Sequence, residues 1–256
     1  MSKKENLLQR LDEIGQSLAQ RDGALALLGL GSVGRELSRI DDYSDLDFFV
    51  IVRPGSKNRF IDDLDWLSRI QPIAYAFQNT VDGHKLLFAD GIFCEFAVFE
   101  PNELAHIPFA PGRIVWEAAD FDAAMLEKPT SKPTERSIEF LVGEALTNLY
   151  IGLGRYRRGE KLSSARFIQG YAVDRVVEVA ARIESAQSGL ADPFDGGRRF
   201  EQRFGETAVH LPQFIPGYEH SPTAAQAILE FLDQHFPVNP AMKQAIQTLI
   251  KEKDTD

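Results

Sequence analysis

Asp45 and Asp47 are the side chains in this chain whose types and spacing point most directly to chemistry. They stand at the head of an apolar run, Leu46 to Val52, that reads as a β-strand. Side chains alternate along a strand, so two acids two residues apart project to the same face while Leu46 and Phe48 turn the other way. Two like charges held this close repel, and an apolar strand is a poor solvent for them unless a cation joins them. The pattern is that of a divalent-metal site. Twelve residues earlier a second apolar run, Ala24 to Leu30, breaks at Gly31-Ser32, a tight turn into a short helical segment.

Leu30-Gly31-Ser32, a spacer and then Asp45-Leu46-Asp47-Phe48 resemble the signature of the nucleotidyltransferases of the DNA polymerase beta superfamily. Within that superfamily the chain is most similar to the antibiotic-modifying branch, and especially to lincosamide nucleotidyltransferases. The order of pieces agrees: Tyr43-Ser44-Asp45-Leu46-Asp47, then Glu95-Phe96, then Ile114-Val115-Trp116-Glu117, then an all-helical second half. The resemblance implies a third carboxylate on a later strand, and Glu95, a charge set into the apolar run Gly91 to Phe99, is the residue offered for it. It implies Mg²⁺ held by Asp45, Asp47 and Glu95, with Glu95 also taking the proton of an acceptor hydroxyl. It also implies a nucleoside triphosphate, ATP first among them, as co-substrate, and a small hydroxyl-bearing acceptor such as a lincosamide or aminoglycoside antibiotic. A homodimer is expected by the same analogy. Gly31 allows the backbone to approach a phosphate closely, and the amides and hydroxyl of Ser32 at a helix N-terminus can bind its oxygens. Arg35, three residues on, is placed to reach the β- or γ-phosphate. The spacer is longer than is usual in that branch and carries Arg39-Ile40-Asp41-Asp42, so the place of Arg35 stays open.

The elements that must position these groups follow from periodicity. Leu7, Leu8, Leu11, Ile14 and Leu18 make residues 4–20 an amphipathic helix. Asn58 is read as the cap of a helix reaching Ile70, Ile73 to Phe77 as a strand, and His84 to Phe88 and Ile92 to Phe99 as a hairpin about Asp90-Gly91. Pro101-Asn102-Glu103-Leu104 is read as opening a short helix, and Arg113 to Glu117 as a last strand. Five or six strands with helices between them predict an α/β (α+β) fold, with an N-terminal mixed β-sheet as the nucleotidyltransferase domain, residues 1–128. Lys128 to Pro133 is polar and proline-rich, and after it the apolar period changes from 2 to 3.6. A C-terminal helical bundle, residues 133–256, is therefore expected, with helices from Thr134 to about Arg158, Ser163 to Ala186, Arg198 to Val209, Pro222 to His235 and Pro240 to Lys251. This half is read as the acceptor-binding domain.

The chain has 256 residues and a net charge of −10, which argues against a non-specific grip on nucleic acid and suits a small cationic acceptor. No apolar stretch approaches the about 20 residues that span a membrane, and no signal-peptide core opens the chain, so a cytoplasmic setting is expected. The single cysteine, Cys94, alternates with Glu95 and is read as packing. The five histidines show no metal spacing. The basic run Arg155, Arg157, Arg158 and Lys161 suits the end of a helix, and Tyr150, Tyr156 and Tyr171 suit either an acceptor cleft or helix packing. Two other functions remain open at this level: a protein-directed nucleotidyltransferase, and a non-catalytic nucleotide-binding module of the same fold.

Overall fold

The structure, a computed structural model, describes residues 2–107, 112–126, 136–187, 192 and 195–252. The chain divides into two compact units, Met1–Ser131 and Lys132–Asp256. The first holds α1 (Lys3–Ala19), β1 (Ala24–Gly29), β2 (Leu46–Val52), α2 (Lys57–Ile61), α3 (Asp65–Ser68), β3 (Ile73–Thr80), β4 (Gly83–Phe88), β5 (Phe93–Phe99) and β6 (Arg113–Glu117). Its six strands form one mixed sheet in the order β3-β4-β5-β2-β1-β6. β2 and β5 run parallel, and the other neighbouring pairs are antiparallel. The mixed α/β fold is the one the sequence predicts.

α1 starts at a capping box in which the Ser2 hydroxyl accepts from the Glu5 amide while the Glu5 carboxylate accepts from the Ser2 amide. Leu7, Leu11, Ile14 and Leu18 recur on one face and are fully buried, so the helix is laid on the sheet by its apolar stripe. On that same face β2 contributes Leu46, Phe48 and Val50, β5 contributes Cys94, Phe96 and Val98, and Trp66 of α3 closes the cluster. Phe48 and Phe96 are register partners across β2 and β5 and stack, with ring centroids 5.2 Å apart and planes 5° from parallel. Trp66 meets both rings edge-on. Aromatic contacts of this kind add about 0.5–1.5 kcal/mol each beyond area burial. They lock the pairing, because a one-residue slip would turn every side chain of one strand over.

Two helices differ from expectation. The segment predicted to run from Asn58 to Ile70 is split into α2 and α3. Trp66 Nε1 donates to the Phe60 carbonyl, and the Asp63 carboxylate accepts from the Asp65 amide, so side chains replace helical hydrogen bonds at the break. Pro101 to His106 forms successive turns instead of a helix, closed by bonds from the Glu103 amide to the Glu100 carbonyl and from the His106 amide to the Glu103 carbonyl.

The second unit is helical, in line with its 3.6 period: α4 (Ile138–Arg157), α5 (Lys161–Ala165), a π-helical stretch Arg166–Ala172, α6 (Val173–Val179), α7 (Phe200–Arg203), α8 (Gly205–Ala208), α9 (Leu211–Phe214), α10 (Ser221–His235) and α11 (Pro240–Lys251). Leu149, Leu153, Ile168, Val176, Ile228, Leu232 and Ile246 form its buried centre. Gly152 lets α4 approach the π-helical stretch, since a Cβ there would come within 2.5 Å of Ile168 Cγ1. The predicted helix Ser163–Ala186 thus contains a π segment, and Arg198–Val209 is broken at Phe204, whose φ of −130° and ψ of 66° leave the helical region. Ser137 caps α4 by accepting from the Phe140 amide. The predicted linker 128–133 and the Thr134 cap lie outside the described residues. Asn239 caps α11 ahead of Pro240, as the sequence predicts. Among the described residues no helix is long and apolar enough to cross a membrane.

His84 lies on the core face of β4, buried and stacked on Phe96 at 5.7 Å. Burial pushes its pKa below the ordinary 6.5, with Asp62 pulling weakly the other way. The unfolded chain therefore binds a proton near 6.5 that the folded chain takes only at lower pH, so stability is full above that value and falls as the pH drops below it. His84→Phe keeps the stacking and removes the proton. Urea unfolding at stepped pH should show a shallower acid-side loss in His84→Phe than in the parent chain.

Candidate active site

β1 ends where β2 begins because the two are antiparallel, with Gly29 opposite Phe48. The Leu30 amide donates to the Asp47 carbonyl at 2.8 Å. The turn at Gly31-Ser32 is thereby brought beside the two acids, twelve residues of loop notwithstanding. Gly31 takes φ +51°, and a Cβ built on it would lie 2.6 Å from Asp47 Oδ2. Only a glycine lets that backbone and that carboxylate lie so close. The predicted short helical segment is a single 3₁₀ turn, Gly31–Val33, followed by another at Leu37–Arg39. A single turn aligns few amides, so no helix macrodipole backs Ser32, which corrects the expected helix N-terminus there.

β5 lies directly beside β2, and Glu95 is the register partner of Asp47. Phe48 and Phe96 point to the core, so alternation turns Asp47 and Glu95 together to the opposite face, where both are partly exposed. Cys94, next to Glu95, is fully buried on the core face, and burial pushes its thiol above the ordinary 9.0. That agrees with its reading as packing. Asp45 stands one residue before β2 and is partly exposed.

Glu95 is held by groups the sequence reading did not single out. Lys85 of β4, its antiparallel partner, places Nζ 3.2 Å from Glu95 Oε2, and Asn79 of β3 donates from Nδ2 to Oε1 at 3.1 Å. Both partners lie on the side of β5 away from β2. Among the described residues no three His, Cys, Asp or Glu side chains stand close enough together to hold a metal ion. Asp47 and Glu95 are brought to one face in register, and the three acids are not gathered into one cluster. Mg²⁺ commonly takes one or two carboxylates and completes its shell with water and substrate phosphate. The carboxylate pair with the glycine cradle at Gly31 fits that demand.

Arg35, expected at a phosphate, donates from Nε to the Gly112 carbonyl at 3.0 Å, just ahead of β6. The basic run in the helical unit is engaged with its own fold. Arg157 donates to the carbonyls of Leu249 and Ile250 at the end of α11, Arg155 bonds the Ser163 hydroxyl and lies over the Phe167 ring, and Arg158 pairs with Glu160. Tyr156 is buried and donates to the Glu219 carbonyl, while Tyr150 and Tyr171 are exposed.

No family model matches the chain, and no curated protein is similar to it. Solved structures are similar to it at low level, three of them as follows. An aminoglycoside 6-adenyltransferase from Bacillus subtilis has 12% identity and a TM-score of 0.36, over 96% of this chain and 92% of that one. The spectinomycin adenyltransferase AAD(9) from Enterococcus faecialis, solved with ATP and spectinomycin, has 12% identity and a TM-score of 0.30, over 97% of each chain. The Bradyrhizobium diazoefficiens CD-NTase CdnG, solved with GTP, has 14% identity and a TM-score of 0.27, over 96% of this chain and 98% of that one. Similarity this weak carries no functional weight.

The contact between Gly31 and Asp47 sets a testable cost. Gly31→Ala forces a Cβ into the Asp47 carboxylate at a left-handed φ, and urea unfolding should register a loss of about 1–2 kcal/mol. Ser32→Ala, with no such contact, should stay within about 0.5 kcal/mol of the parent.

Proposed function

We propose that the chain transfers a nucleoside monophosphate from a nucleoside triphosphate to a hydroxyl of a small acceptor. The observation that supports this most is the register of Asp47 and Glu95 on neighbouring parallel strands, with the Asp47 carboxylate against the Gly31 turn. In such a transfer the acceptor oxygen forms a bond to the α-phosphorus, the bond to the bridging oxygen breaks, and pyrophosphate leaves with the electron pair. Charge grows on the phosphoryl and leaving oxygens, so the residues act mainly by positioning and electrostatics.

Gly31 and Ser32 bring backbone amides to the triphosphate without a side chain in the way. Asp45 and Asp47 are the carboxylates that would hold Mg²⁺, with Glu95 as the third. Bound Mg²⁺ would neutralise phosphate charge and acidify the acceptor hydroxyl. Glu95 accepts the hydroxyl proton in this reading, a task open to a partly exposed carboxylate on the strand beside Asp47. Arg35 reaches a phosphate oxygen in this reading by exchanging its bond to the Gly112 carbonyl. The resemblance to antibiotic nucleotidyltransferases makes a lincosamide or an aminoglycoside the first acceptor to try, with ATP the first nucleotide. The net charge of −10 favours a cationic acceptor.

Asp47→Asn keeps the shape of the side chain and removes a charged ligand, so pyrophosphate release over a panel of aminoglycoside and lincosamide acceptors should fall by at least about 10²-fold. Full activity in that variant would overturn the reading. Glu95→Gln should leave ATP binding, measured by calorimetry, within about twofold while turnover falls about 10²- to 10⁴-fold. Nucleotide binding that is indifferent to Mg²⁺, with no release from any acceptor, would favour a non-catalytic nucleotide-binding module.

A further inference from the structure

We propose that Lys85, with Asn79, is a latch on Glu95 that competes with a divalent cation for the carboxylate and so regulates assembly of the metal site. The inference rests on the nucleotidyl-transfer reading and deepens it. Four residues form one row across consecutive strands: Asp47 on β2, Glu95 on β5, Lys85 on β4 and Phe77 on β3. Glu95 sits in the middle of this row, between an acid on one side and a cation on the other. Its two oxygens are both engaged on the cation side, Oε2 by Lys85 Nζ at 3.2 Å and Oε1 by Asn79 Nδ2 at 3.1 Å. A cation shared between Asp47 and Glu95 needs the Glu95 carboxylate turned toward β2, and an oxygen so turned is lost to Lys85.

The latch is built to open. The Lys85 and Glu95 side chains are 43% and 44% exposed, so neither is locked by packing. A lysine holds a carboxylate as a mobile point charge, where an arginine would grip both oxygens in a planar fork. The competition is therefore weak enough for a divalent ion to win.

The test is Mn²⁺ titration of the full chain, followed by electron paramagnetic resonance, with thermal melts as a control of folding. Lys85→Gln should bind Mn²⁺ about two- to fivefold more tightly than the parent, the range a half-exposed ion pair sets. Asn79→Ala should shift affinity in the same direction with no change of charge. In a Glu95→Gln background, Lys85→Gln should have no effect, because the latch acts through Glu95 alone. Equal or weaker binding in Lys85→Gln overturns the latch, and so does a gain that survives in the Glu95→Gln background, since that is a general field effect. Parent binding that is abolished by Asp47→Asn but unchanged by Lys85→Gln overturns the latch alone. Parent binding no better than that of Asp47→Asn overturns both the latch and the metal reading.

Discussion

The parallel pairing of β2 with β5 is the constraint on which the face carrying Asp47 and Glu95 depends. Its register is held by the stacked rings of Phe48 and Phe96 and by Trp66 set edge-on against both. Because strand side chains alternate, burying those two rings commits Asp47 and Glu95 to the opposite face, side by side. The acids are positioned by aromatic packing on the far side of the sheet, with no direct bond between them needed. A core that repacked β5 by one residue would bury Glu95 and expose Cys94, at a cost in desolvation.

The two acids then meet different surroundings. Asp47 lies against a glycine whose missing Cβ makes the approach possible, and Glu95 lies between an acid and a lysine. Both Glu95 oxygens find their partners on the lysine side, at Lys85 and Asn79. In the helical unit the clustered arginines are matched within the unit. Its basic run is spent on the C-terminal carbonyls of α11, on Ser163 and on Glu160, which makes those arginines parts of the fold.

Much of this organisation was legible from residue pattern. The helical stripe of Leu7, Leu11, Ile14 and Leu18, the alternation around Phe48 and Phe96, and the 3.6 period of the helical unit each follow from local rules. The outward face of Asp47 and Glu95 and the packing role of Cys94 were readable in the same way. Lys85 was not: a two-residue Asp90-Gly91 turn would set Leu86 opposite Glu95, whereas the hairpin closes over Ala89 to Gly91, with Phe88 facing Ile92 and Lys85 facing Glu95. Asn79 was not, because the β3–β4 register shifts between Gln78 and Thr80 and places it where no regular count leads. The break between α2 and α3 and the turns after Pro101 were hidden for a related reason. Side-chain bonds from Trp66 and Asp63 overrode a continuous apolar period that local propensity favoured.

By itself, then, the sequence determined which residues are apolar in which period, and hence most strands and helices and the face each acid takes. Those are consequences of alternation and burial, which act within a strand or a helix. Only the tertiary structure decided that β5 lies beside β2, that it runs parallel, and that Glu95 is drawn toward Lys85 and Asn79. Strand order is set by how distant apolar faces pack together, and the direction a carboxylate turns is set by charges that arrive from other strands. No local pattern encodes either.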